Sequence, residues 1–435
     1  MRYFDLKPFE VADVYKILSN LDVSKATGPD EIGNVILKET ASSMAVPLCR
    51  LFNKCIDKGS FPDVWKTAQV TSLHKKGSVH LCENYRPISL LCCTSKVFEK
   101  LIYDQVYSHL TVHKLLSDCQ SGFRPGDSTV NQLVSICHKI YASLDDGDEV
   151  LSVFLDFRKA VDKVWHPGLL HKLKKTGICG KLLSLFESYL SNRQQYVVIQ
   201  GHRSNLKPIK AGVPQGSVLG PLLFLIFIND IHLGISSDIK LYADDTSLFR
   251  IVRKGNMTSA IDDLNRDLDR INKWCEDWLL ELNKDRTVVL FVSRKFSPTP
   301  LLPIYMGNTL LSVVDSHKHL GVLFTANFTW SKHIDNCLDK ATKRLNMLSP
   351  LKYRLPRRAL ELIYTTQIRP LLEYADIIID NCSVHYHNAI ENVQLSAARI
   401  VSGAKRRTSH SELYKELGWV SLAEESNINL LSFTN

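Results

Sequence analysis

Three aspartates carry the strongest chemical signal in this chain. Asp156 closes the run Val150-Leu-Ser-Val-Phe-Leu-Asp-Phe157, an almost uninterrupted apolar, β-branched and aromatic stretch of strand length with a carboxylate at its C-terminal end. Asp244 and Asp245 stand between two further strand-like runs, Ile239–Ala243 and Thr246–Val252, which reads as a hairpin with both acids at its tip. Taken alone, an Asp-Asp pair is ordinarily a solvated turn or a helix cap. If the strands were neighbours in one sheet, however, three carboxylates would meet and would repel one another unless divalent cations neutralised them. Oxygen-only ligands select Mg²⁺ or Mn²⁺ over zinc. Two such ions ~4 Å apart serve in-line phosphoryl transfer, one at an attacking hydroxyl and one at the leaving pyrophosphate.

The elements that must position these acids are legible around them. Gly212-Val-Pro-Gln-Gly-Ser-Val-Leu-Gly-Pro221 has glycine and proline at turn spacing and gives way to Leu222–Ile228, a loop that leads into a buried helix with Pro221 in its first turn. Apolar residues at helical spacing from Ile261 to Leu282 predict one amphipathic helix, and Val288–Val292 returns to strand character. Beyond Trp330 the pattern is helical only, which places a domain boundary near 325–332. At 435 residues, with 45% hydrophobic and 23% charged, the chain has the composition of a globular protein of two to three domains. Its longest apolar run, Val218–Ile228, is interrupted by Gly220 and Pro221 and is too short for a bilayer, and the first residues lack a signal peptide. An intracellular location, in nucleus and cytoplasm, is the expectation. None of the 11 cysteines forms a C-x-x-C pair, so reduced core thiols are expected rather than a zinc site. The net charge of +9 is concentrated late: residues 332–407 carry 13 Lys and Arg against 7 acids.

Eight ordered blocks then resemble the reverse transcriptases of non-LTR (LINE-like, jockey-related) retrotransposons. They are Lys25-Ala-Thr-Gly-Pro-Asp30, Asn84-Tyr-Arg-Pro-Ile-Ser-Leu90, Gln120-Ser-Gly-Phe-Arg124, Leu155-Asp-Phe-Arg-Lys-Ala-Val-Asp162, Gly212-Val-Pro-Gln-Gly216, Tyr242-Ala-Asp-Asp245, Leu282-Asn283 and His319-Leu-Gly321. The resemblance implies an α+β right-hand polymerase with fingers, an antiparallel-sheet palm and a helical thumb. Its expected limits are 1–149 for fingers with an N-terminal extension, 150–328 for palm with a finger insertion about 165–210, and 329–435 for thumb. It implies RNA-directed DNA synthesis from a primer 3′ end, with RNA template, DNA primer, dNTPs and two Mg²⁺ ions for which Mn²⁺ can substitute. By resemblance Asp156 and Asp244 would be the principal metal ligands, assisted by the Phe157 carbonyl and by Asp245. Arg86, with Lys75 or Lys76, would grip the triphosphate, and Val161, Gln215 and Gly216 would line the nucleotide. Arg124, His319, Leu320, Gly321, Arg354, Arg357 and Arg358 would meet template and primer, the arginines through phosphates. For Arg124 a structural ion pair is the equal alternative, and Asp162 reads as structural or as a helix cap. Helix spacing makes Tyr353, Tyr364 and Tyr374 core residues rather than stacking platforms.

Two positions depart from the family pattern. Val161 stands where relatives carry Phe or Tyr against the sugar, which leaves room for a ribose hydroxyl. Arg286 stands at a lysine position in Leu282-Asn-Lys-Asp-Arg-Thr287, and a guanidinium does not give up a proton at neutral pH. With no endonuclease segment recognised, target nicking is expected from elsewhere. The competing readings are a catalytically weak or co-opted nucleic-acid-binding remnant and an RNA-dependent RNA polymerase.

Overall fold

The computed structural model describes residues 3–75, 77–296, 299–405 and 407–426. Helices α1 (Val11–Ser19), α2 (Ala41–Lys58) and α3 (Cys93–Val112) share one apolar core in which the Phe52 and Phe98 rings stack at 4.9 Å. Beside them β1 (Thr67–His74) and β2 (Tyr85–Leu90) pair antiparallel, Leu73 opposite Arg86. Helix α4 (Thr129–Asp145) then leads to β3 (Glu149–Leu155), and all seven residues of β3 are buried. The chain next passes through α5 (His166–Lys175) and α6 (Gly180–Leu190). It returns as β4 (Gln194–Ile199), which runs parallel to β1 and joins the first sheet.

The second sheet holds the acids. Helix α7 (Leu219–Ile228) precedes β5 (Asp238–Tyr242) and β6 (Asp245–Val252), and α8 (Met257–Asp277) precedes β7 (Val288–Val292) and the short β8 (Ser312–Val313). Their order is β8-β7-β3-β6-β5, antiparallel except where β8 meets β7. The period-two alternation of a strand explains why β3 is apolar on both faces. Val150 and Phe154 pack with Leu133, Ile136 and Ile140 of α4, whereas Leu151, Val153 and Leu155 pack with α7 and α8. Asp156 extends β3 past Leu155 on the α4 side.

Helix α8 ends at Asp277 rather than continuing to Leu282. Leu279 adopts a left-handed backbone (φ 55°), and that turn redirects Leu282 and Asn283 toward the end of β3. After the hairpin β9 (Ser316–His319) and β10 (Val322–Thr325) the described chain is helical: α9 (Ser331–Leu348), α10 (Arg357–Ile363), which runs on through a π-helical segment (Tyr364–Ile368) into Arg369–Glu373, then α11 (Val384–Ser402) and α12 (His410–Leu417). Leu345, Tyr364, Ile368, Val393 and Ala397 form a core of their own, while Trp330 and Ile334 pack into the core beneath α4.

Candidate active site

Register brings the acids together. Leu155 pairs with Thr246 across β3 and β6, and Tyr242 with Asp245 across β5 and β6, so one step further Asp156 comes alongside Asp245. Asp244 lies in the exposed turn between β5 and β6, and Asp245 opens β6 with its side chain reaching solvent. Protein nevertheless surrounds that carboxyl, as it would at the floor of an open cleft. Burial first, then the charges of Asp244 and Asp156, push Asp245 up to about 6, while Lys75 and Arg86 pull it back. Those two cations of the first sheet therefore act on the acids of the second. Lys76 lies outside the described residues.

The turn that carries Asp244 is braced from behind by the Gln120-Ser-Gly-Phe-Arg124 segment. Ser121 N donates to Leu241 O (2.9 Å) and Leu241 N to Cys119 O (2.8 Å), which adds a short parallel bridge to β5. The buried Gln120 Oε1 accepts from Gly122 N (2.8 Å) and from Ala243 N (3.0 Å). Ala243 sits at φ 56°, a conformation that costs a non-glycine residue and needs support from its neighbours. Gly122 is required by contact, because a Cβ there would lie 2.2 Å from Ala243 N. Gly122→Ala is therefore expected to displace the acids and to slow about 100-fold the primer extension that the sequence resemblance implies, read by single-turnover rates with duplex binding retained. The Arg124 guanidinium donates through one nitrogen to Ser117 O (3.1 Å) and Gln120 O (3.3 Å), so it holds the bracing segment through carbonyls, and among the described residues it makes no ion pair.

The glycine loop is clasped to the segment after Asp156. Val213 N donates to Val161 O (3.0 Å), Gly212 N to Val164 O (2.8 Å) and Gln215 Nε2 to Asp162 Oδ1 (2.8 Å). Asp162 therefore caps no helix: it lies within a short turn that begins after Lys159, and burial raises its carboxyl against the Gln215 hydrogen bond. Gly216 has φ 117°, and a Cβ there would stand 2.5 Å from Ser89 O. Ser89 N in turn donates to Gln215 O (2.7 Å), so the loop is wedged between β2 and the 161–164 turn. Glu99, fully buried on α3, accepts from Val218 N and Leu219 N and anchors the start of α7.

The template and primer candidates are placed less uniformly. His319 is corrected: only 4% of it is exposed, and its ring packs 4.9 Å from that of Phe154, so the side chain faces the core rather than a nucleic acid. Leu320 and Gly321 form the β9–β10 turn, covered by Tyr374, whose hydroxyl bonds to Leu320 O. His317, two residues earlier, stacks on Phe154 at 4.3 Å; burial lowers it while Asp156 raises it, which puts that ring at the acid cleft. Arg354 and Arg358 are exposed, whereas Arg357 is committed to Glu416. The tyrosines divide. Tyr364 is core, stacked on Trp419, but Tyr353 is 82% exposed beside Lys352 and departs from the core expectation.

Among the described residues no three His, Cys, Asp or Glu side chains are close enough to enclose an ion. Mg²⁺ keeps waters and takes one or two carboxylates together with substrate phosphates rather than a full protein cage. The mutual repulsion felt by Asp245 is the surplus negative charge that a divalent cation relieves. Sequence reading missed Gln120 as the brace and Asn283, whose Nδ2 donates to Asp156 Oδ2 (2.9 Å). Both stand in the motifs Gln120–Arg124 and Leu282-Asn283, but their partners lie more than 100 residues away and no local pattern names them.

A sheet that presents acids at one end, faced by cations from a second sheet and followed by helices, is the palm of a right-hand polymerase. Residues 73–324 match the family model described as reverse transcriptase (RNA-dependent DNA polymerase), and the chain belongs to that family. It is 29% identical over 433 residues to the probable RNA-directed DNA polymerase from transposon BS of Drosophila melanogaster, covering 97% of this chain and 47% of that one. It is 29% identical to the RNA-directed DNA polymerase from mobile element jockey of the same organism, covering 92% and 44%. It is 30% identical to the probable RNA-directed DNA polymerase from transposon X-element, covering 97% and 47%. The chain thus spans about half the length of the curated relatives it matches.

Proposed function

We propose that this chain extends a DNA primer on an RNA template, as the polymerase portion of a non-LTR retrotransposon protein. The observation that carries the reading is the meeting of Asp156 with the Asp244–Asp245 turn, across from Lys75 and Arg86. Fingers, palm and thumb would divide at about 149 and 328, with 165–210 lending a strand to the fingers. Asp156, Asp244 and Asp245, with the Phe157 carbonyl, would hold two Mg²⁺ ions, or Mn²⁺ in their place. Bound there, the cations supply charge neutralisation at the attacking 3′-oxygen and at the pyrophosphate that leaves. Arg86 and Lys75 offer donors to triphosphate oxygens, bidentate in the case of arginine. Gln215 and Gly216 form the wall of the nucleotide site, held rigid by Asp162 and Ser89. Leu320 and Gly321 would meet the primer end, and exposed Arg354, Arg358 and Tyr353 would track the duplex. The site of action would be nucleus and cytoplasm. No helix of the described residues is long and apolar enough to cross a membrane.

The test is extension of a DNA primer annealed to RNA, with dNTPs or rNTPs, in Mg²⁺ and in excess chelator. Incorporation of dNTPs that stops in chelator supports the proposal. Binding of the duplex without incorporation would leave the nucleic-acid-binding remnant, and rNTP-only incorporation the RNA polymerase. Val161 bears on the sugar. Its carbonyl is fixed by Val213 N, but its side chain is smaller than an aromatic ring. The native chain is expected to reject ribonucleotides less well than Val161→Phe in single-nucleotide incorporation, and equal discrimination by the two would remove Val161 from that role.

A further inference from the structure

The segment after α8 does more than join two palm elements. Beyond the left-handed Leu279, the chain from 281 to 287 lies along the end of β3 and bonds to it at consecutive residues. Asn283 N donates to Asp156 O (2.7 Å), Arg158 N donates to Glu281 O (2.9 Å), and Phe157 forms an antiparallel bridge with Leu282. Glu281 also pairs with both Arg158 and Lys163. Within this zipper one contact reaches a reacting-site oxygen: Asn283 Nδ2 donates to Asp156 Oδ2 (2.9 Å). Fully buried Thr287 stands behind it. Its Oγ1 donates to Asn283 O (3.1 Å) and accepts, at 3.4 Å, from Asp156 N.

We propose that Asn283 is the positioning residue of Asp156: it occupies Oδ2, fixes the carboxylate plane and leaves Oδ1 as the atom presented to the cation. An ionised carboxylate only accepts hydrogen bonds, so the amide must turn its nitrogen toward Asp156. Asparagine suits the position because it supplies that donor without charge, whereas a cation in its place would compete with the metal for the same carboxylate. Partners that orient a ligating carboxylate typically govern metal affinity by about 10- to 100-fold. The inference rests on Asp156 being a metal ligand, and it assigns to Leu282-Asn283 a task distinct from that of Arg286, which is exposed.

Calorimetric titration of Mn²⁺ into the full chain tests it, on native protein, Asn283→Ala, Asp156→Asn and Glu281→Gln. Asn283→Ala is expected to bind Mn²⁺ about 10- to 100-fold more weakly and to shift the Mg²⁺ dependence of extension to higher concentration by the same factor, with RNA–DNA duplex affinity retained. Glu281→Gln, which loosens the zipper without touching Asp156, is expected to leave Mn²⁺ affinity unchanged. Should the alanine chain not fold, Asn283→Ser, too short to reach Oδ2, is expected to behave in the same way. If Asp156→Asn loses Mn²⁺ while Asn283→Ala keeps native affinity, the positioning role is overturned and the polymerase site stands. If Asp156→Asn itself binds Mn²⁺ like the native chain, the metal assignment fails and takes this inference with it. If Glu281→Gln weakens binding as much as Asn283→Ala, the effect belongs to the zipper as a whole, and the proposal is overturned in that form.

Discussion

Asp244→Asn is expected to slow primer extension by about a thousandfold or more, with duplex binding and thermal stability unchanged. The size follows from the work the proposed function asks of the carboxylate, to hold a divalent cation at the reacting phosphate: such a cation is worth several kcal/mol of transition-state charge stabilisation, and about 4 kcal/mol is a factor of roughly a thousand. The absence of a folding cost follows from the site's geometry. Asp244 is exposed at the apex of the turn, and its side chain makes no hydrogen bond among the described residues. What holds the turn is the Ala243 amide on Gln120 Oε1, which the substitution leaves alone. Asparagine has the shape of aspartate, so the change removes charge and little else. Single-turnover extension at saturating dNTP, paired with a melting curve and a duplex-binding isotherm, makes the measurement. Retention of most of the native rate would take Asp244 out of the site, and loss of duplex binding would make its role structural.

The acids and the elements that carry them were legible because each signal is local. Continuous apolar character announced a strand buried on both faces, and the Asp-Asp pair between two strand-like runs announced a hairpin tip; both lie where the sequence placed them. The helix from 261 was read too long, since apolar spacing continues through Trp278, Leu279 and Leu282 while the chain turns at a left-handed leucine that periodicity does not register. The braces were invisible for a related reason. Gln120 meets Ala243 and Asn283 meets Asp156 across 123 and 127 residues, contacts set by sheet register rather than by spacing. Arg124 and His319 show what a block leaves open. Each stands in a block that resembles its family closely, but membership in a block does not say which way a side chain points: one arginine caps carbonyls and one imidazole enters the core.

That buried imidazole makes the core where α4, β3, the β9–β10 hairpin and α9 meet sensitive to acid. His319 lies between Phe154 and Phe324 with Nε2 unpartnered, and burial, with His317 nearby, holds its pKa down at about 3. His333 on α9 accepts from Leu323 N (3.3 Å), and burial, helped by the charges of Lys318 and Lys340, lowers it to about 4. Both rings are neutral in the folded chain and titrate near 6.5 once unfolded, so between those values the unfolded state binds more protons. Stability contributed by the pair is thus complete above pH 6.5 and is lost as pH falls toward 4 and then 3. At about 1.4 kcal/mol per pH unit each, pH 5 removes about 2 kcal/mol per ring, or about 4 kcal/mol together, a large share of the ~5–15 kcal/mol that holds a domain folded. His319→Leu fills the site without a polar atom, so it is expected to match or exceed native stability at pH 7.5 and to lose about 2 kcal/mol less than the native chain on going to pH 5. Urea unfolding of both chains at the two pH values isolates the term, because every carboxylate that also titrates is common to both. Parallel losses in the two proteins would mean that His319 is already protonated in the fold, in contradiction to a ring sealed against Phe154.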